Sequence, residues 1–284
     1  MTPMDEYAFV DCGPPVLAMP EDITEVHISV TFTWDMKRAE ELEKLWRPMG
    51  VPIKVGGVAF GEKSGAFKPG LYVKEGCTIT SRGCPNKCWF CSVPKREGGL
   101  TELEVQDGWN VLDDNLLACS DEHVRRVFEM LKRHKGKAVF TGGLEAKIMK
   151  RWHAEELAKL KPSRMYFAYD TPDDYEPLIQ AGRMLEEAGI SKKNHSRCCY
   201  VLIGYKGDTF EKAEKRLRQT VEAGFMPYAM LYRDETGKRE KSWMKFQREW
   251  LRPHIVGAKM KALENGEEIK GQIRMEELVE GNNA

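Results

Sequence analysis

The sequence predicts an α/β protein whose main part is a partial barrel of six strand-helix units, preceded by a small βαβ extension. Strand-like and helix-like apolar patterns alternate along the 284 residues, without an internal repeat or a low-complexity tract. A helical pattern separates most of the strands, which requires parallel pairing with right-handed crossovers. Six such units are predicted after residue 70, two fewer than an eightfold TIM barrel contains.

The extension and its linker are predicted to occupy residues 1–70. A strand over residues 25–33 is followed by a helix with Asp35 as its cap, and a second strand ends at Gly57. Residues 61–70 are rich in Gly, Lys and Ser, which is typical of a linker. We therefore expect half of an open sheet before the barrel.

The barrel is predicted over residues 71–261 and a polar tail over residues 262–284. The intervening helices show the spacing of a buried face, as at Val124, Val127 and Leu131. The predicted barrel strands are residues 77–81, 109–113, 137–141, 164–170, 197–203 and 225–232. This order places each helix between two strands of one sheet.

Two helix starts carry capping signals. Thr171 and Pro172 predict a cap followed by a first-turn proline. Asp208 and Glu211 are spaced to form a reciprocal capping pair. Both signals begin a helix soon after a predicted strand, as the repeating unit requires.

Charge and composition exclude several classes of protein. The 44 basic residues balance the 44 acidic ones, so no global field indicates a nucleic-acid or membrane partner. No apolar run approaches the roughly 18 residues of a membrane helix. The first residues include Asp5, Glu6 and Asp11 and do not have the pattern of a signal peptide. We expect a cytoplasmic protein without a membrane partner.

Three of the eight cysteines lie together in a loop after the first barrel strand. Residues 83–92 read Gly-Cys-Pro-Asn-Lys-Cys-Trp-Phe-Cys-Ser, with thiols at Cys84, Cys88 and Cys91. In a reducing compartment such a group indicates metal or redox chemistry, and thiolates select zinc or iron-sulfur clusters. Structural zinc requires four ligands, and no second pair follows at a suitable spacing. Three thiolates leave one iron of a four-iron cluster open to an outside ligand.

Other interpretations of the loop stay open. The chain could be a zinc-stabilised binding module without turnover, or the three thiols could simply pack. A redox motif of the thioredoxin kind does not fit, because the first gap holds three residues instead of two.

The Cys-x3-Cys-x2-Cys loop after a strand, with Phe90 directly before the last cysteine, resembles the signature of the radical S-adenosylmethionine superfamily. The likeness extends over residues 77–232. It implies a 4Fe-4S cluster on the three loop cysteines, whose open iron binds the amino and carboxylate groups of S-adenosylmethionine. It also implies one-electron cleavage to methionine and a 5'-deoxyadenosyl radical, which abstracts hydrogen from an unidentified substrate. An electron donor such as flavodoxin or ferredoxin is expected.

The resemblance further implies residues that contact S-adenosylmethionine. Its amino group is expected either after the second barrel strand or after the third, where a Gly-Gly-Glu-like sequence stands. The candidates are Asp113, Asp114 and Asn115 in the first case and Gly142, Gly143 and Glu145 in the second. Asp170 is expected at the ribose, although it could instead cap a helix. Ile203 and Gly204 are expected against the adenine.

Two further features bear on cofactor and substrate. The extension resembles a remnant of the sheet domain found in cobalamin-dependent and methylthio-transferring relatives, but no Asp-x-His-x-x-Gly is present, so we expect no cobalamin. Residues 233–261 carry nine Lys or Arg against four acids, interleaved with Trp243, Phe246 and Trp250. This pattern favours either a nucleic-acid contact or an amphipathic helix that seals the barrel. The substrate is expected to be a small molecule or a nucleotide.

Overall fold

The computed structural model describes residues 2–15, 20, 22–134, 136–251 and 253–265. These residues form ten strands and eight α-helices. The chain divides into two compact units, one of Met1–Leu131 with Glu235–Gly237 and one of Lys132–Asp234 with Lys238–Ala284. Among the helices described, none is long and apolar enough to cross a bilayer.

The elements alternate along the chain as follows. The strands are β1 (Val26–Ser29), β2 (Ile53–Gly56), β3 (Cys77–Thr78), β4 (Ser81–Arg82), β5 (Thr101–Glu102), β6 (Asn110–Val111), β7 (Val139–Leu144), β8 (Arg164–Tyr169), β9 (Arg197–Ile203) and β10 (Met226–Leu231). The helices are α1 (Met36–Trp46), α2 (Val93–Arg96), α3 (Asp121–Arg133), α4 (Arg151–Leu160), α5 (Tyr175–Glu187), α6 (Phe210–Glu222), α7 (Lys241–Glu249) and α8 (Pro253–Glu264).

Six strands form one sheet in the order β3-β6-β7-β8-β9-β10, so neighbours along the chain are neighbours in space. The pairs β3-β6, β7-β8, β8-β9 and β9-β10 are parallel. The α/β class with a six-stranded parallel sheet is thus confirmed. The closure of this sheet into a partial barrel stays a prediction.

The first barrel strand is shorter than the predicted residues 77–81. β3 has only two residues, and β4 pairs antiparallel with β5 in a separate sheet, with Ser81 opposite Glu102. The prediction is wrong at this end because the chain leaves the parallel sheet after Thr78. The antiparallel pair β4-β5 joins the two ends of the segment that contains the cysteine loop and α2.

The predicted βαβ unit is present in the first unit of the chain. β1 and β2 pair in parallel with α1 between them, and Ile28, Val30 and Ala39 form the buried core of this unit. Asp35 occupies the N-cap position of α1, but its side chain makes no capping hydrogen bond. Apolar burial on one face of α1, and not the cap, therefore stabilises this helix.

In the second unit, β9 begins with the buried Arg197 and Cys198, and from Cys199 to its end alternate side chains are completely buried. Cys199, Val201 and Ile203 are each 0% exposed, whereas Tyr200 and Leu202 are partly exposed. This period of two is the pattern of a strand with one face covered. Helices α5 and α6 contribute Leu178, Leu185 and Leu217 to the same buried layer.

The helix starts differ in part from the prediction. Thr171 forms the predicted cap, with its backbone N–H and hydroxyl both donating to Asp174 in a 3-10 turn before α5. The predicted pair of Asp208 and Glu211 is wrong. Thr209 caps α6 instead, because the Asp208 carboxylate is already bound elsewhere in the second unit.

The C-terminal segment forms two helices, α7 and α8, where one was predicted. α7 ends at Glu249, and α8 begins at Pro253, which lacks the N–H that an inner position requires. Trp243, Phe246 and Trp250 are at most 9% exposed. The first residues of the predicted tail belong to α8, and residues 266–284 lie outside the described residues.

Two glycines in helices are expected to change the free energy of unfolding in opposite directions when they are replaced by alanine. A Cβ at Gly182 in α5 would meet the carbonyl oxygen of Ala223 at 2.3 Å, whereas a Cβ at Gly257 in α8 would have nothing within 4 Å. Alanine is favoured over glycine in a helix by about 1 kcal/mol. We therefore expect G257A to raise the free energy of unfolding by about 0.5–1 kcal/mol, and G182A to lower it by about 1–3 kcal/mol. Urea unfolding measures both changes, and equal signs would contradict the packing.

Candidate functional site

The cysteine loop, residues 83–92, begins at a glycine that no other residue can replace without a clash. Gly83 has φ +81, and a Cβ there would lie 2.3 Å from the carbonyl oxygen of Gly99. Further along the loop, the Cys91 N–H donates to the Cys88 oxygen at 3.1 Å. The loop is thus a tight structure between β4 and α2, and its start is closely packed against the chain before β5.

The loop thiols are accessible, in contrast to most of the other cysteines. Cys88 is exposed, and Cys84 and Cys91 are half-buried. The buried thiols are those of Cys77, Cys119, Cys198 and Cys199. All eight cysteines lie in the described part of the chain, and none forms a disulfide there.

Burial makes several of the remaining thiols poor ligands. It raises the pKa of Cys119 to about 11, that of Cys198 to about 11, and that of Cys199 well above its ordinary value. Burial also raises the pKa of Cys91, with the Cys84 thiol and the Asp114 carboxylate adding to the rise and Arg96 opposing it. A metal that binds Cys91 supplies the positive charge that ionises a thiol.

A buried carboxylate lies beneath the start of the loop. Asp113 is 1% exposed, and it accepts hydrogen bonds from the Thr80 N–H at 2.6 Å, the Thr80 hydroxyl at 2.6 Å and the Ser81 hydroxyl at 2.8 Å. Burial raises the pKa of Asp113, and the bonds from Thr80 and Ser81 oppose that rise. Its oxygens are bound within the chain, so Asp113 supports the loop and offers no exposed group to a ligand.

The next two residues of this Asp-Asp-Asn segment (residues 113–115) contact the loop itself. The Asp114 carboxylate accepts from the Gly83 N–H at 2.8 Å and lies 3.8 Å from the Arg96 guanidinium. The Asn115 side-chain nitrogen lies 3.4 Å from the Cys84 sulfur. Three consecutive side chains after β6 therefore hold successive positions of the chain from β4 into the loop.

A buried histidine extends this network on the side of α3. The His123 Nε2 lies 3.2 Å from the Thr80 hydroxyl oxygen. Because Thr80 gives its proton to Asp113, this oxygen can only accept, so His123 carries its proton on Nε2. Burial lowers the pKa of His123, while Glu102 and Asp113 oppose the change. The histidine is thus a neutral donor that fixes the Thr80 hydroxyl.

The loop thiols do not form a site for a single metal ion among the described residues. Among the described residues, no group of three or more His, Cys, Asp and Glu side chains is arranged to hold one metal ion. A structural zinc site requires four ligands directed at one point. In a four-iron cluster each cysteine binds a different iron, so the three sulfurs do not need to meet. The accessible thiols in one loop suit such a cluster.

The second unit contains the other predicted cofactor contacts. Around Gly142 and Gly143 the pairing of β7 with β8 shifts register, and Gly143 has φ +109. Gly142 is exposed, and Glu145 follows half-buried at the start of a 3-10 turn. The Gly-Gly-Glu-like sequence therefore forms an irregular strand end, where the regular ladder of backbone hydrogen bonds between strands is interrupted.

Asp170, Ile203 and Gly204 lie at the ends of β8 and β9. The Asp170 carboxylate accepts from the Leu202 N–H at 3.1 Å. Ile203 is 0% exposed, and a Cβ at Gly204 would lie 2.6 Å from Leu231. Ile203 thus offers no open apolar surface, and its contact with adenine stays a prediction, as does that of Gly204.

A buried ion pair fixes this strand end. The Asp208 carboxylate, 0% exposed, accepts from the Gly204 N–H and from the Arg216 guanidinium, both at 2.8 Å. Arg216 also donates to the Leu202 carbonyl at 2.8 Å. The capping pattern predicted a helix cap at Asp208, and nothing in the sequence pattern indicated Arg216, because an ion pair within one loop and helix leaves no periodic signal.

The structure joins part of the predicted site by direct contacts. In the first unit, hydrogen bonds connect Asn115 to Cys84 and Asp114 to Gly83. Phe90 is half-buried and meets the Trp89 ring edge-on, with 5.4 Å between centroids. The predicted site residues that lie in the second unit are Gly142, Gly143, Glu145, Asp170, Ile203 and Gly204.

Comparisons with known proteins give a likeness of fold. No protein-family model and no curated protein matches the chain. A solved structure does: TsrM from Kitasatospora setae, a radical S-adenosylmethionine methyltransferase with cobalamin and a [4Fe-4S] cluster bound, at TM-score 0.54 and 12% identity. The match covers 73% of this chain and 64% of TsrM. The chain shares its fold with that enzyme over the matched residues. It spans less than two thirds of that enzyme.

The ionisation of Asp170 predicts a pH dependence of stability. Burial raises its pKa to about 7, and the Asp174 carboxylate adds to the rise. In an unfolded chain the value is about 3.9. Between these values the folded state holds a proton that the unfolded state has lost, so stability falls as pH rises. We expect D170N, whose amide oxygen can still accept from Leu202, to gain about 2–4 kcal/mol over the wild type between pH 4 and 7.5.

Urea unfolding of both proteins across this pH range measures that difference. Carboxylates that do not interact with Asp170 cancel between the two proteins, which leaves the contribution of Asp170 together with its coupling to Asp174. A difference that stays constant from pH 4 to 7.5 would contradict the buried, proton-binding environment of this side chain.

Proposed function

We propose that the chain is a radical S-adenosylmethionine enzyme whose 4Fe-4S cluster is held by Cys84, Cys88 and Cys91. The observation that carries the proposal is the accessible three-thiol loop, held by the Asp-Asp-Asn segment at the end of β6. The likeness of fold to a radical S-adenosylmethionine enzyme supports it. Three thiol ligands leave one iron for the amino and carboxylate groups of S-adenosylmethionine.

A bound cluster would supply the electron, received from the reductant, that cleaves a carbon-sulfur bond of S-adenosylmethionine. The products would be methionine and a 5'-deoxyadenosyl radical able to take hydrogen from the substrate. The residues of this chain hold and orient the reactants. Asp114 or Glu145 would offer a carboxylate to the cofactor's ammonium, and Asp170 a carboxylate to the ribose hydroxyls. Asp113 has an indirect role, because it positions the cysteine loop and does not itself contact the cofactor.

The cofactors proposed for this chain do not include the cobalamin of TsrM. The sequence has no Asp-x-His-x-x-Gly to ligate cobalt. His27, the histidine of the first 76 residues, has Nδ1 2.6 Å from the Tyr72 hydroxyl and Nε2 2.8 Å from Glu25. Both ring nitrogens are therefore engaged within the chain.

The substrate proposed is a small molecule or a nucleotide, and the electron donor a flavodoxin or ferredoxin. For a polymeric nucleic acid, the support is limited to the positive charge of residues 233–261. The aromatic side chains of that segment, Trp243, Phe246 and Trp250, are buried and cannot stack on bases. A nucleotide substrate would therefore have to be recognised elsewhere.

The loop cysteines give the direct test of this proposal. Protein reconstituted with iron and sulfide under anaerobic conditions should show the broad visible absorption of an iron-sulfur centre. With S-adenosylmethionine and reductant it should yield 5'-deoxyadenosine, measured by chromatography. Replacement of Cys84, Cys88 and Cys91 by alanine should abolish both signals, because no thiolates remain to hold the cluster.

Matched controls use cysteines outside the loop. C12A changes an exposed thiol and C198A a buried one, and both proteins should retain the absorption and the product. A triple variant that still bound the centre and formed 5'-deoxyadenosine would exclude the assignment. A colourless wild-type protein that holds zinc would favour the binding-module alternative.

A further inference from the structure

We propose that Asn115 donates a hydrogen bond to the cluster-ligating sulfur of Cys84 and thereby raises the reduction potential of the cluster. The inference rests on the proposed function, and it assigns Asn115 a role different from the expected contact with S-adenosylmethionine. In the structure, the Asn115 side-chain nitrogen lies 3.4 Å from the Cys84 sulfur. That distance is in the range of a hydrogen bond to sulfur, whose radius exceeds that of oxygen.

The position of Asn115 is fixed by the residues that follow it. Its backbone carbonyl accepts from the Ala118 N–H at 3.2 Å, which begins a 3-10 turn. Leu116 and Leu117, 0% and 4% exposed, anchor this turn in the core. Asn115 itself is only 5% exposed. Its amide is thus held in place before a cluster binds, and it has little water to compete with.

Cluster ligation favours the orientation in which the amide nitrogen faces the sulfur. An iron-bound thiolate is an acceptor, so an amide oxygen in the same place would be repelled. The preceding residue reinforces the geometry, because Asp114 accepts from the Gly83 N–H at 2.8 Å and fixes the backbone next to Cys84. The donor and the acceptor therefore lie on two segments, one after β6 and one after β4, that side-chain hydrogen bonds join.

A donor at this place stabilises the reduced cluster more than the oxidised one. Reduction adds one negative charge, part of which lies on the ligand sulfurs, and hydrogen bonds to those sulfurs are among the factors that set the potential. The neighbouring charges do not supply the same effect. The Arg96 guanidinium lies 2.7 Å from Glu97 and 3.8 Å from Asp114, so two carboxylates offset its charge.

The chain offers a closely matched control. Asn110 lies on β6, and its side-chain nitrogen is 3.9 Å from the sulfur of Cys77, a buried cysteine outside the loop. Like Asn115, Asn110 places an amide nitrogen beside a cysteine sulfur, and it lies five residues earlier in the chain. The difference is that Cys77 is not proposed to bind iron.

The test is a redox titration of anaerobically reconstituted full-length protein, followed by the electron paramagnetic resonance signal of the reduced cluster. N115L removes the donor, and we expect the equilibrium constant for one-electron reduction to fall about tenfold, which is a potential about 59 mV more negative. N115D keeps the shape and adds a negative charge, so its potential should be lower still. N110L should leave the potential unchanged.

Unchanged potentials in N115L and N115D would overturn the inference while leaving the proposed function intact. A wild-type protein that forms no cluster would instead overturn the proposed function. If neither variant of Asn115 holds a cluster, hyperfine spectra of protein that retains Asn115 decide the question. Protein labelled with 15N at asparagine side chains, in an N86A background, should show a 15N coupling to the reduced cluster in hyperfine spectra, and its absence would contradict the hydrogen bond.

Discussion

The burial of the Asp113 carboxylate beneath the cysteine loop is the interaction on which the proposed site depends. A carboxylate in a protein interior is costly unless it is hydrogen-bonded, and here the donors are Thr80 and Ser81, directly before the loop. These hydrogen bonds hold the chain between β3 and the loop. The loop thiols are consequently presented from a rigid base, while His123 holds the Thr80 hydroxyl from the other side.

The same arrangement explains how a short loop can hold thiols without a preformed metal site. The Asp-Asp-Asn segment contacts the chain before the loop, the first residue of the loop and the first cysteine of the loop. The buried Asp113 and the accessible Cys84 sulfur are thus held by one short segment. Cys88 and Cys91 lie further along, where one backbone bond joins them.

Sequence patterns sufficed where a local signal existed. The thiols of Cys84, Cys88 and Cys91 follow a strand at a specific spacing, and the alternation of strands and helices predicts the six-stranded parallel sheet. Sequence patterns did not suffice where contacts between residues far apart in the chain determine the structure. Nothing local indicates that Asp113 binds Thr80, that Ile203 is wholly buried, or that Ser81 pairs with Glu102 instead of extending β3. Such partners depend on which strands become neighbours, and a single sequence leaves that open.

The most direct test of the central claim is the electron paramagnetic resonance spectrum of the reduced, anaerobically reconstituted protein, recorded before and after addition of S-adenosylmethionine. A cluster on three cysteines has an open iron, so the account predicts that the g values and line shape change when the cofactor binds there. A cluster signal that S-adenosylmethionine leaves unchanged would contradict the account, because it would mean that a side chain already occupies the fourth iron.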